Sequence, residues 1–275
     1  MFYRKIIPAL PLQALVECYY IWECGDLVSQ PVIIESPPSG FTSIVFNYGD
    51  CYKTSSTDIS DFKFAPRNFI AGQATRTYKL LVEGKIAMLG VVFRPAAINT
   101  LFGLQMYELN DERLDLRDVL GKEIVPIQER LVEAHTNQER IDIIDKFLLF
   151  KLLNCKAQPN QTDFAANLIV SRNGIINVSK MMEELYVCRR QLERQFLQKV
   201  GVSPKYYARI RRISYLCSVM ANKRWQVADW HDLIFQMGYY DQSHFIKEFT
   251  AFTGKSPSFY LKNNFELSNY LQSST

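Results

Sequence analysis

Residues Tyr239 to Pro257 read YYDQSHFIKEFTAFTGKSP. Phe245, Phe249 and Phe252 recur at helical spacing, Gly254 supplies a left-handed stop, and Ser256-Pro257 opens a further helix. A helix that is merely buried has no reason to recur in the chain, yet this one does. Shifted by 53 positions, Leu192 to Tyr207 (LERQFLQKVGVSPKYY) lies on Phe245 to Tyr260 (FIKEFTAFTGKSPSFY). Phe196/Phe249, Gly201/Gly254, Ser203/Ser256, Pro204/Pro257 and Tyr207/Tyr260 are identical. These matches include the Gly and Pro that punctuate structure, which tells against coincidence. A short helix is expected before each copy, Val178 to Leu185 capped by Asn177 and Trp230 to Met237 capped by Asp229, with Asp232 in the favourable first turn. Tight turns follow at Tyr186 to Cys188 and at Gly238 to Asp241. Two helices around a tight turn, the second with one apolar and one polar face, describe a helix-turn-helix, present here twice.

Roughly Thr162 to Asn263 resembles the DNA-binding domain of the AraC/XylS family of bacterial transcription regulators. The likeness is carried by Cys188-Arg-Arg-Gln-Leu-Glu-Arg-Gln-Phe196 with Gly201-Val-Ser-Pro204, and by Gly238-Tyr-Tyr-Asp-Gln-Ser-His-Phe-Ile-Lys-Glu-Phe249 with Gly254-Lys-Ser-Pro257 and Tyr260. It implies two helix-turn-helix subdomains joined by a long helix, here Lys205 to about Lys223, each with its second helix in the major groove. About 18 residues of helix span ~27 Å, compatible with successive grooves about 34 Å apart. Where the family usually has a small residue at the crossing of the two helices, this chain has Met182 and Ile234. Lys247 replaces the usual Arg and lacks its bidentate fork.

The helical wheel then names the DNA-facing residues. In the first unit Leu192 and Phe196 face inward, which leaves Arg189, Arg190, Glu193 and Arg194 outward, with Arg190 and Arg194 the leading base readers. The bland alternative for Arg189, Arg190 and Glu193 is an ordinary solvated ion-pair face. In the second unit Gln242, Ser243, Ile246 and Lys247 lie opposite the Phe stripe. Gln suits adenine and Ile a thymine methyl, while Ser243 and Lys247 suit base or phosphate. His244 is read as a packing or capping residue. Tyr207, Arg209, Arg211 and Arg212 are either phosphate neighbours or solvated side chains.

Upstream, short β-branched or aromatic runs bounded by Gly, Pro, Asp or Ser read as strands: 31–35, 42–48, 68–71, 77–82 and 87–93. From Pro95 the pattern turns helical, with a helix ending near Gly103, short helical stretches after Asn110 and after Asp115, and an amphipathic helix over Asn137 to Asn154. The polar stretch 155–162 reads as a linker. The expected class is therefore α+β: residues 1–157 a β-rich, cupin-like sensor or dimerisation domain followed by helices, residues 158–275 an all-α double helix-turn-helix domain. Charge divides in the same place. Residues 1–159 carry 17 Lys+Arg against 19 Asp+Glu, a balance of −2, and residues 160–275 carry 15 against 9, a balance of +6, as a polyanion-binding half would.

The histidines, His135, His231 and His244, all lie outside the strand region, and the six cysteines show no C-x-x-C pair. Neither a metal-dependent cupin enzyme nor a zinc site has a signature, and no metal or cofactor is expected. Arg94 reads as a surface or structural arginine rather than an effector ligand. With no long apolar run and no leader pattern, the expectation is a soluble cytoplasmic chain. The function expected is a sequence-specific DNA-binding transcription regulator without catalytic activity. Its partner is double-stranded DNA; a small-molecule effector, RNA polymerase and a second copy of the chain are further candidates. The competing reading is a cupin-like metabolite-binding protein or enzyme whose C-terminal part only anchors it to DNA.

Overall fold

The computed structural model describes residues 2–24, 28–56, 62–222 and 230–262. The expected cap Asp229, the end of the linker helix at Lys223 and the family boundary at Asn263 lie outside them. The chain opens with strands β1 (Phe2–Ile6), β2 (Val16–Glu23), β3 (Val28–Ser36), β4 (Thr42–Asn47), β5 (Lys53–Ser56), β6 (Lys63–Phe64), β7 (Asn68–Ala71), β8 (Tyr78–Gly84) and β9 (Ala87–Phe93). They form two antiparallel sheets, ordered β1-β2-β9-β4-β7-β10 and β3-β8-β5-β6, where β10 is Arg113–Asp115. The register pairs Ile44 with both Val91 and Ile70. Side-chain alternation then sorts the wide sheet into two faces. Trp22, Val45, Phe69 and Met88 meet Ile34, Leu80 and Val82 of the narrow sheet. Tyr19, Ile21, Ile44, Ile70, Leu89, Val91 and Phe93 lie in the second cluster, with the helices.

Those helices are α1 (Ala97–Phe102), α2 (Leu116–Leu120), α3 (Val125–Glu133) and α4 (Asn137–Leu153). Gly103 ends α1 at φ 72°, as its position after the apolar run predicts. A capping box, Thr136 with Glu139, starts α4. Asp115 caps α2 by accepting from Arg117 N. Asn110 departs from expectation: it starts no helix, because β10 follows and its side-chain amide instead donates to the Gly201 carbonyl, 2.6 Å away. Arg94 is structural. Its Nε donates to the Gln13 carbonyl at 2.7 Å and its terminal nitrogen pairs with Glu17 at 3.2 Å.

After an irregular stretch come α5 (Gln161–Ser171), α6 (Val178–Glu184), α7 (Arg189–Val200), α8 (Pro204–Asn222), α9 (Trp230–Gln236), α10 (Gln242–Thr253) and α11 (Pro257–Lys262). They enclose a separate apolar cluster that includes Ala165, Ile169, Phe196, Tyr207, Ile213, Phe249 and Tyr260. α5 was not expected from sequence. Its start is nevertheless encoded: Asn160 and Asp163 form a reciprocal cap.

Candidate nucleic-acid interface

The first unit is α6 and α7. Asn177 caps α6 by accepting from Lys180 N at 3.0 Å, and the chain turns through Tyr186, which takes φ 52°. Leu192, Phe196 and Val200 are buried along α7, and Gly201 closes it at φ 99°. In the second unit, α9 carries Asp232 in its first turn, Gly238 turns the chain at φ 73° and Asp241 caps α10 by accepting from His244 N at 2.7 Å. Phe245, Phe249 and Phe252 are buried, and Gly254 ends the helix at φ 71°.

The repeat has a physical meaning in three dimensions. Phe196 meets Tyr207 with ring centroids 5.8 Å apart, and their counterparts Phe249 and Tyr260 meet at 5.2 Å. In both copies an identical Phe holds the second helix of the unit against the Tyr one turn into the next helix. The offset is not uniform. The left-handed turn positions Tyr186 and Gly238 lie 52 apart, whereas α7 and α10 start 53 apart. The second turn therefore contains one extra residue, between the left-handed position (Tyr186 or Gly238) and the cap.

With the apolar stripes inward, the outward row is the one read from sequence. Arg189, Arg190 and Arg194 are exposed on α7, and Gln242, Ser243, Ile246 and Lys247 are exposed on α10. Glu193 is half-buried, and its carboxylate accepts from Arg189 Nε at 2.9 Å, an i, i+4 pair. Among the described residues, no hydrogen bond or ion pair engages the side chain of Arg190 or Arg194. His244 is exposed and sets its ring edge-on to Tyr239, centroids 5.4 Å apart.

The linker-helix residues are engaged within the protein, and for the buried Tyr207 and Arg211 this replaces both sequence readings. Tyr207 is fully buried and donates to the Gly40 carbonyl at 2.8 Å. Arg211 is also buried: it donates to the Ser39 carbonyl at 2.7 Å and lies 4.2 Å from the Phe41 ring centre. A Cβ on Gly40 would fall 2.4 Å from Arg211 Cδ, so only glycine lets the β3–β4 loop approach α8 this closely. Arg209 and Arg212 turn to Glu248 on α10, at 2.7 and 2.6 Å. Tyr239 donates to the same carboxylate at 2.8 Å. Burial raises the Glu248 carboxyl, but Arg212 first, then Arg209 and Tyr239, outweigh it and hold it below its ordinary range. Sequence inspection missed this network. Its signal was a lone carboxylate set among the phenylalanines of the inward face.

More contacts tie both units to the strand domain. Thr77 directs its N–H and hydroxyl to the Phe252 carbonyl near the end of α10, at 3.0 and 3.1 Å. Asn110 takes the Gly201 carbonyl just past the end of α7, and Lys255 pairs with Glu35 at 2.6 Å. Among the described residues, no helix is long and apolar enough to cross a membrane.

Residues 181–263 match the family described as a helix-turn-helix domain, and residues 4–115 match a domain of unknown function, DUF6597. No match is found among curated proteins. ToxT from Vibrio cholerae, in complex with a methylnaphthalenyl butenoic acid, is 13% identical over 95% of this chain and 99% of its own, with a TM-score of 0.46. The unsaturated fatty acid-bound ToxT is 15% identical over 88% and 93%, at 0.42. The AraC-like transcriptional activator CuxR is 14% identical over 78% and 85%, at 0.26.

Proposed function

We propose that this chain, whose C-terminal residues form an AraC-type helix-turn-helix domain, is a sequence-specific DNA-binding transcription regulator without catalytic activity. The observation that carries the reading is the doubled unit. Two recognition helices, seated on the same Phe–Tyr contact, each turn a polar row away from the core. The outward rows would enter successive major grooves and contact bases or phosphates, through Arg189, Arg190, Glu193 and Arg194 on α7 and Gln242, Ser243, Ile246 and Lys247 on α10. α8, 19 residues long, spans about 28 Å at 1.5 Å per residue, near the ~34 Å between grooves on one DNA face.

Residues 1–157 would form the sensor or dimerisation domain and residues 158–275 the DNA-binding domain, a division supported by their separate apolar clusters. The contacts of Ser39, Gly40, Thr77 and Asn110 with α8 and with the ends of α7 and α10 give an effector or partner on the strand domain a direct route to the DNA-binding units. A homodimer, contact with RNA polymerase and a cytoplasmic location belong to the same proposal.

Arg190 and Arg194 test the assignment. Replacing either with Ala should weaken binding to a duplex selected from random DNA by about 1 to 3 kcal/mol and relax preference at one base position. A uniform weakening across all sequences would move that arginine to the phosphates.

A further inference from the structure

Between the two units lies a cleft of about 590 Å³. One wall is the first turn of α6, with Asn177 and Ser179; the floor is α8; the other wall is the flank of α10. Four cationic side chains, Lys205, Arg209, Arg212 and Lys247, line it with a single carboxylate, Glu248. That carboxylate accepts from Arg209, Arg212 and Tyr239, so its charge is spent within the protein rather than turned on the cleft. Lys205 and Lys247 are exposed at the rim, and Arg209 keeps 35% of its side chain accessible beside them. Among the described residues the aromatic lining of the cleft is the His244 imidazole, with no Phe, Tyr or Trp, so it offers no broad stacking platform for a base or an aromatic ligand.

Its position selects the occupant. In a helix-turn-helix the first helix crosses the DNA backbone while the second enters the groove. Here the start of the first helix of unit one and the flank of the second helix of unit two face the same cleft. With α7 and α10 in successive major grooves, the DNA between them presents sugar-phosphate backbone. We infer that this cleft is a binding site for the backbone phosphates between the two half-sites, with Lys205 and Lys247 as its principal cations. Arg209 and Arg212, held in place by Glu248, add positive potential from the floor. The inference rests on the functional reading above. It gives Lys247 a phosphate rather than a base, and it adds Lys205, which the recognition helices do not include.

The test is a salt titration of the full chain on a random-sequence duplex and on a selected duplex. Each phosphate that is no longer neutralised should reduce the slope of log K against log[salt] by about 0.9. Lys205→Gln and Lys247→Gln are each expected to lower the slope by about that amount on both duplexes, leaving the ratio of selected to random affinity unchanged. Lys122→Gln, an exposed change on the strand-domain side, should leave it alone. Slopes unchanged in both cleft variants, or a reduction confined to the selected duplex, would overturn the phosphate site. A wild-type chain with no salt-dependent duplex binding would instead overturn the functional reading beneath it.

Discussion

Phe249→Ala is expected to unfold the second helix-turn-helix unit while the strand domain and first unit stay folded. Phe249 is fully buried and touches Phe245 and Tyr260 at ring-centroid distances of 5.6 and 5.2 Å. Removing a ring from such a site costs about 3 to 5 kcal/mol in forfeited transfer energy and residual cavity. α9 and α11 pack on α10 through this phenylalanine cluster, and short helices are marginal without such packing. Hydrogen exchange should show protection lost in α9, α10 and α11 and retained in α7. Phe249→Leu keeps much of the volume and should cost less. Equal loss of protection in both units would mean that the C-terminal domain melts as one body.

Glu248→Ala is the second large effect. The side chain is 3% exposed and is the common acceptor for Arg209 and Arg212. Deleting it strands two guanidinium groups, one of them 15% exposed. A fully buried pair broken in this way costs about 3 to 5 kcal/mol; with Arg209 partly in water the expectation is nearer to about 2 to 4 kcal/mol. Glu248→Gln, which keeps hydrogen bonds but not charge, should fall between. The sign of the pH dependence follows from a carboxyl held below its usual range. The stabilisation is complete above the unfolded-state value of about 4.3 and is lost as pH falls through the folded value. Thermal unfolding from neutral to acid pH should therefore show wild type losing its advantage over Glu248→Gln only in the acid limb. A constant difference down to the lowest pH would contradict the ion-pair account.

The all-α half was legible because local signals and the repeat agree there. Asn177, Asp241, Gly201, Gly254, Pro204 and Pro257 all occupy the caps or first turns their chemistry favours. The strand half was partly legible. β4, β7 and β9 are apolar and bounded by turn residues. β2 is covered on both faces, Tyr19 and Ile21 by helices and Trp22 by the narrow sheet, so it shows no clean polar alternation. β5 and β6 are short and polar. Asn110 misled because its partner, Gly201, is 91 positions away. The same holds for Tyr207 and Arg211, whose acceptors at Gly40 and Ser39 no local pattern could reveal. The outward rows were found because facing away from a core requires only the period of the helix.

Equilibrium binding of the full chain to a selected duplex and to its scrambled counterpart, across a series of salt concentrations, tests the central claim most directly. A double helix-turn-helix regulator should show a steep fall of log K with log[salt] on both duplexes, with the selected one bound about 10³-fold or more tighter at physiological salt. Flat salt dependence, or equal affinity for the two duplexes, would contradict it.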